Sequence, residues 1–300
     1  MGVVVYADDV LLMAPTRGAM QAMLNKCEQY AADNNIKFST DPDPIKSKTK
    51  CIHVCGTKKN VTKPAPLTLC GMELPWVKSA NHLGHELHET GQMEHDANMK
   101  RAAFISRSVE IRENFDFASP VEVLRAMKIY CSSFYGCMLW DLRGEGAVKV
   151  YNSWTTAIKL TWDVPRATRT YLVQKVLAAG LTSARVDILA RYANFFRSLR
   201  VSPCHEVSVL ANIAGRDVRT TTGSNLKLLE ELTGLNPWVF GSARIKEELM
   251  KEETVLTPVE DGWRLFYLAS LLAKRQQLDY LGEEEATKEI AGLVGSLCVS

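Results

Sequence analysis

Val3-Val4-Val5-Tyr6-Ala7-Asp8-Asp9-Val10-Leu11-Leu12-Met13 opens the chain. Two short apolar runs flank a pair of acids. Runs of that length, bounded by turn-forming residues, read as the two arms of a β-hairpin. Ala7, Asp8 and Asp9 fall at its turn. Working outward, Pro15 and Thr16 open a helix. Its apolar positions Met20, Met23, Leu24, Cys27, Tyr30 and Ala31 repeat at the spacing of one helical face, and Asn34-Asn35 end it. Ile36-Lys37-Phe38 reads as a short strand and Asp41-Pro42-Asp43-Pro44 as a loop. Lys50 to Cys55 reads as a strand, and residues 58–66 as a loop. Leu67-Thr68-Leu69 and Met72-Glu73-Leu74, joined at Cys70-Gly71, form a second hairpin. Residues 1–88 therefore predict an α+β unit.

Beyond it the pattern is helical. One helix is predicted from Met93 to Phe115. Ser119-Pro120-Val121-Glu122 is a capping box with proline at the first helical position. It opens a helix whose face is Leu124, Met127, Cys131, Phe134 and Met138. Val148, Tyr151, Trp154 and Ile158 mark another, and Pro165 breaks the pattern. Further helices are expected near 170–179, 183–200, 204–214, 224–233, 241–250, 261–280 and 284–297. The expected division is 1–88, 89–165 and a helical region 166–300 of unassigned role.

Net charge is only +2 over 300 residues, so bulk charge does not mark a nucleic-acid binder. Its distribution says more. Lys37, Lys46, Lys48, Lys50, Lys58, Lys59 and Lys63 face only Asp41 and Asp43 in the same stretch, an asymmetry that suits a polyanionic partner. The eight cysteines are scattered, with no Cys-x-x-Cys pair. The start is no signal peptide, and no run approaches membrane-spanning length. These features predict an intracellular, reduced protein with no membrane partner, nuclear or cytoplasmic, in which cysteines are small core residues.

Adjacent aspartates on a tight turn between buried strands suit two-metal nucleotidyl transfer. One metal activates a primer hydroxyl and the other steadies the departing pyrophosphate, and hard Mg²⁺ prefers carboxylate oxygens. Asp-Asp is also ordinary turn chemistry. Tyr6-Ala7-Asp8-Asp9 with its flanks resembles the catalytic hairpin of reverse transcriptases from non-LTR (LINE-type) retrotransposons. The resemblance extends through Phe38-Ser39 and the loop around Lys46-Ser47-Lys48, which is similar to the next family motif. His82-Leu83-Gly84-His85-Glu86-Leu87 is similar to the primer-grip hairpin, and Tyr135-Gly136-Cys137-Met138-Leu139-Trp140 to a thumb segment. A weaker likeness continues from Asn212 through Arg216-Asp217-Val218-Arg219-Thr220 to Asn236-Pro237-Trp238.

The resemblance implies a palm remnant over 1–88, a helical thumb over 89–165, and RNA-directed DNA polymerisation as the ancestral activity. It implies Mg²⁺ on Asp8 and Asp9, with Lys46 or Lys48 near the triphosphate as proton donor. Tyr6, Leu83 and Gly84 would lie along the primer. Lys100, Arg101 and Arg107, with Arg112, would meet phosphates of a template–primer hybrid. Its partners would be an RNA template, a DNA primer and deoxynucleotides. The family's other metal-binding aspartate lies upstream of the turn, whereas Met1 stands five residues before Tyr6. The expectation is therefore a chain inactive by itself, completed by a fingers–palm fragment. The rivals are a non-catalytic nucleic-acid-binding remnant, and a helical interaction protein in which Asp8 and Asp9 only turn the chain.

Other constellations carry less. His82, His85 and His88 sit at zinc-like spacing, but a hairpin does not converge them. Cys51, His53 and Cys55 alternate on a strand, which holds them about 6–7 Å apart, too far to share one ion. Arg185, Arg191, Arg197 and Arg200 belong to no motif. The tryptophans read as core anchors, with base stacking open to Trp76 alone.

Overall fold

The computed structural model describes residues 2–55, 64–91, 93–164, 166, 173 and 181–254. Lys58, Lys59 and Lys63, the helix predicted near 170–179 apart from Val173, and those near 261–280 and 284–297 lie outside the described residues. The chain divides into two units, Met1–Ala103 with Phe134–Val150, and Phe104–Ser133 with Tyr151–Ser300.

In the first unit, β1 (Gly2–Tyr6) pairs antiparallel with β2 (Asp9–Met13), in the register Val5 opposite Val10 and Tyr6 opposite Asp9. Helix α1 (Arg17–Asp33) starts at Thr16, whose hydroxyl accepts from the Ala19 amide, and ends where Asn35 takes a positive φ of 52°. Strands β3 (Cys51–Ile52) and β6 (Trp76–Val77) pair in parallel. β4 (Leu67–Leu69) and β5 (Met72–Leu74) form one hairpin, and β7 (Ser79–His82) and β8 (His85–His88) another. The Cys70-Gly71 and Leu83-Gly84 turns both place two consecutive residues at positive φ. That backbone matches the twist of a two-residue hairpin.

One core cluster of this unit is Leu24, Leu67, Leu69 and Leu74, with Leu12, Met20, Phe38, Cys51 and Trp76 packed against it. Polar bonds fix α1 over the edge of β4. The Gln21 amide donates to Thr68 O (2.8 Å) and accepts from Thr68 N (2.9 Å), and Arg17 donates to the carbonyls of Ala65 and Pro66. A side-chain amide thus satisfies backbone groups that a neighbouring strand would otherwise take. Helix α2 (Glu94–Asn114) follows.

In the second unit, α3 (Pro120–Tyr130) begins with the expected capping box, the Ser119 hydroxyl accepting from Glu122 N and the Glu122 carboxylate from Ser119 N (2.9 Å). Helix α4 (Glu145–Thr161) begins in the first unit and ends in the second, which goes on with α5 (Ala184–Arg200), α6 (His205–Arg216), α7 (Thr221–Thr233) and α8 (Ser242–Thr254). Gly223 lets α7 begin close against the preceding loop, because a Cβ there would stand 2.2 Å from Asp217 O. Lys128 of α3, half-buried, bonds to the Thr182 carbonyl and to Asp187 of α5, and its ammonium lies 5.0 Å from the Trp154 ring centroid.

Small open sheets with helices are what the chain builds, but the polymerase palm and thumb expected from the resemblance are corrected. A palm holds its catalytic hairpin inside a larger curled sheet. Here the strands form four separate two-stranded sheets, and β1 and β2 pair only with each other among the described residues. Val3, Val4, Val5, Tyr6, Val10 and Met13 are exposed where buried strands were expected. Residues 36–40 form no ladder either. They pair with no strand among the described residues, and the segment is held instead by Ile36 N bonding back to Ala31 O, by Phe38 on the core and by the Thr40 hydroxyl on Met72 Sδ. On α4, Val148 is exposed. The buried side runs through Ala147, Val150, Trp154 and Ile158, so the expected face was turned by one residue at its start.

Candidate functional site

The Asp8-Asp9 turn is formed, but it is not a metal site of the expected kind. Ala7 takes φ 52° to close the two-residue turn, and Asp9 already belongs to β2 opposite Tyr6. Tyr6, Asp8 and Asp9 are all exposed, and neither carboxylate has a hydrogen-bond or ion-pair partner among the described residues. Two-metal chemistry needs several carboxylates converging on one spot. Among the described residues no group of three or more His, Cys, Asp or Glu is placed to hold a metal ion. The residues present therefore do not fit Mg²⁺. Nothing among the described residues supports the polymerase, transposon and magnesium assignments. The zinc alternatives at His82, His85 and His88, and at Cys51, His53 and Cys55, have the same absence of a cluster.

The lysine loop is ordered from within. Asp41 Oδ1 accepts from Asp43 N (2.8 Å), and Asp43 Oδ1 from Ile45 N (2.9 Å), two side-chain turns of the kind aspartate favours. Lys46 N and Ser47 N donate to Asp43 O (3.1 and 2.9 Å). Ser47 is buried, its hydroxyl donating to Thr49 O (2.6 Å), and Thr49 N reaches Ser39 O (3.2 Å). The two acids are spent on the backbone. Lys37, Lys46, Lys48 and Lys50 are left exposed, without an ion-pair partner among the described residues.

The Leu83-Gly84 hairpin is formed as expected and is covered from its own side of the chain. Lys100 donates to Gly84 O (2.7 Å) and lies 5.8 Å from the Tyr135 ring centroid. A Cβ on Gly84 would stand 3.4 Å from the Tyr135 ring. Lys100 therefore holds the turn rather than standing ready for a phosphate. Arg101 is half-buried and Arg107 exposed. Trp76 is half-buried against the leucine core, not offered as a stacking platform.

Beneath the hairpin lies a polar knot that the sequence did not disclose. Asp96, 1% exposed, sits in the first turn of α2. Its Oδ2 accepts from the Trp140 indole N–H (2.9 Å) and its Oδ1 from Glu86 N (3.2 Å), with His85 Nδ1 3.6 Å from Oδ2. His85 stacks on Tyr135 at 5.0 Å. Gly136, at φ +81°, admits the imidazole, since a Cβ there would be 1.6 Å from His85 Cε1. Asp96 reads in the sequence as one more acid at a helix start. Only its burial reveals that it ties the hairpin to the 134–140 segment. This knot explains Gly84, Tyr135, Gly136 and Trp140 by packing.

Among the described residues, no helix is long and apolar enough to cross a membrane. No family model matches the chain, and neither a curated protein nor a solved structure matches it.

Proposed function

We propose that this chain is a non-catalytic nucleic-acid-binding protein that engages phosphates through the lysine loop. The observation that carries the reading is the division of charge over residues 37–50: acids consumed by internal turns, four ammonium groups left in water. A polyanion recovers counterion entropy by meeting such a set. Lysine is a point charge without fixed geometry, so the binding is sequence-tolerant. The resemblance noted in the sequence adds an RNA–DNA hybrid to the candidate partners.

The test is binding to RNA–DNA hybrid, duplex DNA and single-stranded RNA as a function of salt. Four phosphate contacts give a slope of log K against log salt of roughly −3.6 on duplex DNA. Replacing Lys46 and Lys48 together by alanine should reduce that slope by about 1.8, while Asp8→Ala and Asp9→Ala leave binding in place. No binding at low salt, or a slope indifferent to the lysines, defeats the proposal. A second reading, a helical interaction protein, is favoured by α6, where Val209, Leu210 and Ile213 are all exposed. Loss of nucleic-acid binding together with a partner lost on Leu210→Asp would favour it.

A further inference from the structure

The second unit carries a cleft that neither the lysine loop nor the polar knot uses. It lies between the end of α5 and the segment leading into α8, with a volume of about 160 Å³. Arg197, Arg200, Trp238, Phe240 and Gly241 are among its walls, and no acid lines it among the described residues. The volume equals roughly five waters' share of liquid, enough for one small charged group and part of what bears it.

Both guanidiniums border the cleft with hydrogen-bonding capacity to spare, and Arg200 is held in place. Arg200 donates from Nη1 to Trp238 O (2.7 Å), and its Cζ lies 4.9 Å from the Trp238 ring centroid and 6.0 Å from that of Phe196. Its Nε is shielded from water and has no hydrogen-bond partner. A shielded donor without a partner is costly unless a ligand oxygen completes it. Arg197 has no ion-pair or side-chain hydrogen-bond partner among the described residues, and its Nη1 lies 3.0 Å from where a Cβ on Gly241 would be. Trp238 is itself fixed. Its amide donates to Asn236 Oδ1 (2.9 Å), its ring meets Phe196 edge-on at 5.0 Å, and Gly215 leaves room for it, since a Cβ there would be 2.8 Å from the indole. Arg200 and Trp238 are thus held in place before any ligand arrives, which lowers the cost of ordering that half of the site, whereas Arg197 is exposed and would be ordered on binding.

We propose that this cleft binds a phosphate monoester. Two guanidiniums without a counter-charge among the described residues match a dianion, and planar forks match phosphate oxygens in pairs. A monoester carries about −1.5 to −2 charges at neutral pH. A diester carries one and is the poorer match. Pro237, Trp238 and Phe240 supply an apolar wall for the ester's organic part. The proposal does not rest on the lysine-loop reading, which concerns the other unit.

The test is calorimetric titration of the full chain with inorganic phosphate, phenyl phosphate, and a dinucleotide with or without a 5′-phosphate. Phosphorylated probes are expected to bind and the 5′-hydroxyl dinucleotide to bind at least tenfold more weakly. Phenyl phosphate or the phosphorylated dinucleotide binding more tightly than inorganic phosphate identifies an ester, and in the dinucleotide case a nucleic-acid end. Arg197→Gln, at an exposed position, should weaken the phosphorylated probes at least tenfold with an unchanged melting temperature. Arg197→Lys should recover part of that loss. Lys46→Ala with Lys48→Ala should leave the phosphorylated probes' affinity unchanged. Absence of binding, equal affinity for probes with and without the phosphate, tighter binding of inorganic phosphate than of every ester, or indifference to Arg197→Gln would each overturn the proposal.

Discussion

Asp96→Ala tests the idea that one buried carboxylate ties the β7–β8 hairpin to the 134–140 segment. In the native chain its two oxygens accept from the Trp140 indole and the Glu86 amide at 2.9 and 3.2 Å. Trp140 is 1% exposed, so no water replaces the lost acceptor. A hydrogen bond to a charged group contributes about 1.5–3 kcal/mol, and a buried donor left unpaired costs about 1–3 kcal/mol. Counting the indole as unpaired and the amide as partly rewetted, the loss comes to about 3 kcal/mol. That is a large share of the 5–15 kcal/mol typical of a domain. The assay is urea unfolding followed by tryptophan fluorescence, repeated for Trp140→Phe and for the double variant. The two sites should couple by about 1.5–3 kcal/mol, because either change removes the same bond. Asp96→Asn keeps an acceptor and should cost about half as much. A loss below about 0.5 kcal/mol for Asp96→Ala, or strict additivity with Trp140→Phe, refutes the knot.

Gly136→Ala combines a left-handed backbone with a clash on His85, and overpacking of this kind costs about 1–3 kcal/mol beyond the φ penalty. Thermal unfolding should show it, and His85→Ala in the same background should recover the clash portion but not the φ portion. Burial opposes the charged form of Asp187, but Lys128 beside it, the Thr182 hydroxyl and Lys246 outweigh burial and hold the carboxyl below the usual carboxylate range. A folded-state pKa below the unfolded one gives stability that is complete above about pH 5 and lost as pH falls through the carboxylate range. Asp187→Asn should flatten that acid limb of the stability profile, and an unchanged limb would contradict the pairing. Burial pushes the Cys51 thiol up to about 11, whereas Cys70 and Cys204 are exposed. Alkylation at pH 8 followed by peptide mass spectrometry should find Cys51 at least tenfold slower than either.

The local motifs were legible because each is specified by residues adjacent in the chain. The capping box at Ser119, the paired turns at Cys70-Gly71 and Leu83-Gly84, the hairpin about Ala7-Asp8 and the ends of α1 all stand where sequence chemistry put them. The face of α4 was misplaced at Val148, since apolar spacing cannot say which of two adjacent turns meets the core. The strand expected at Ile36-Lys37-Phe38 failed for a related reason. Strand propensity is a statement about a neighbour, and no strand offers that segment its backbone among the described residues.

What the sequence by itself determined is therefore the inventory of short elements and their order, and the exposed charge of the lysine loop. Tertiary structure alone decided what those elements surround. An acid pair at a turn becomes a metal site only if a third carboxylate is brought to it from elsewhere, and the fold leaves Asp8 and Asp9 in solvent. The same fold buries Asp96 under Trp140 and brings Arg197 and Arg200 to Trp238, pairings separated by 44 and about 40 positions. Neighbours along a chain constrain torsion angles, but desolvation depends on groups that only folding brings together.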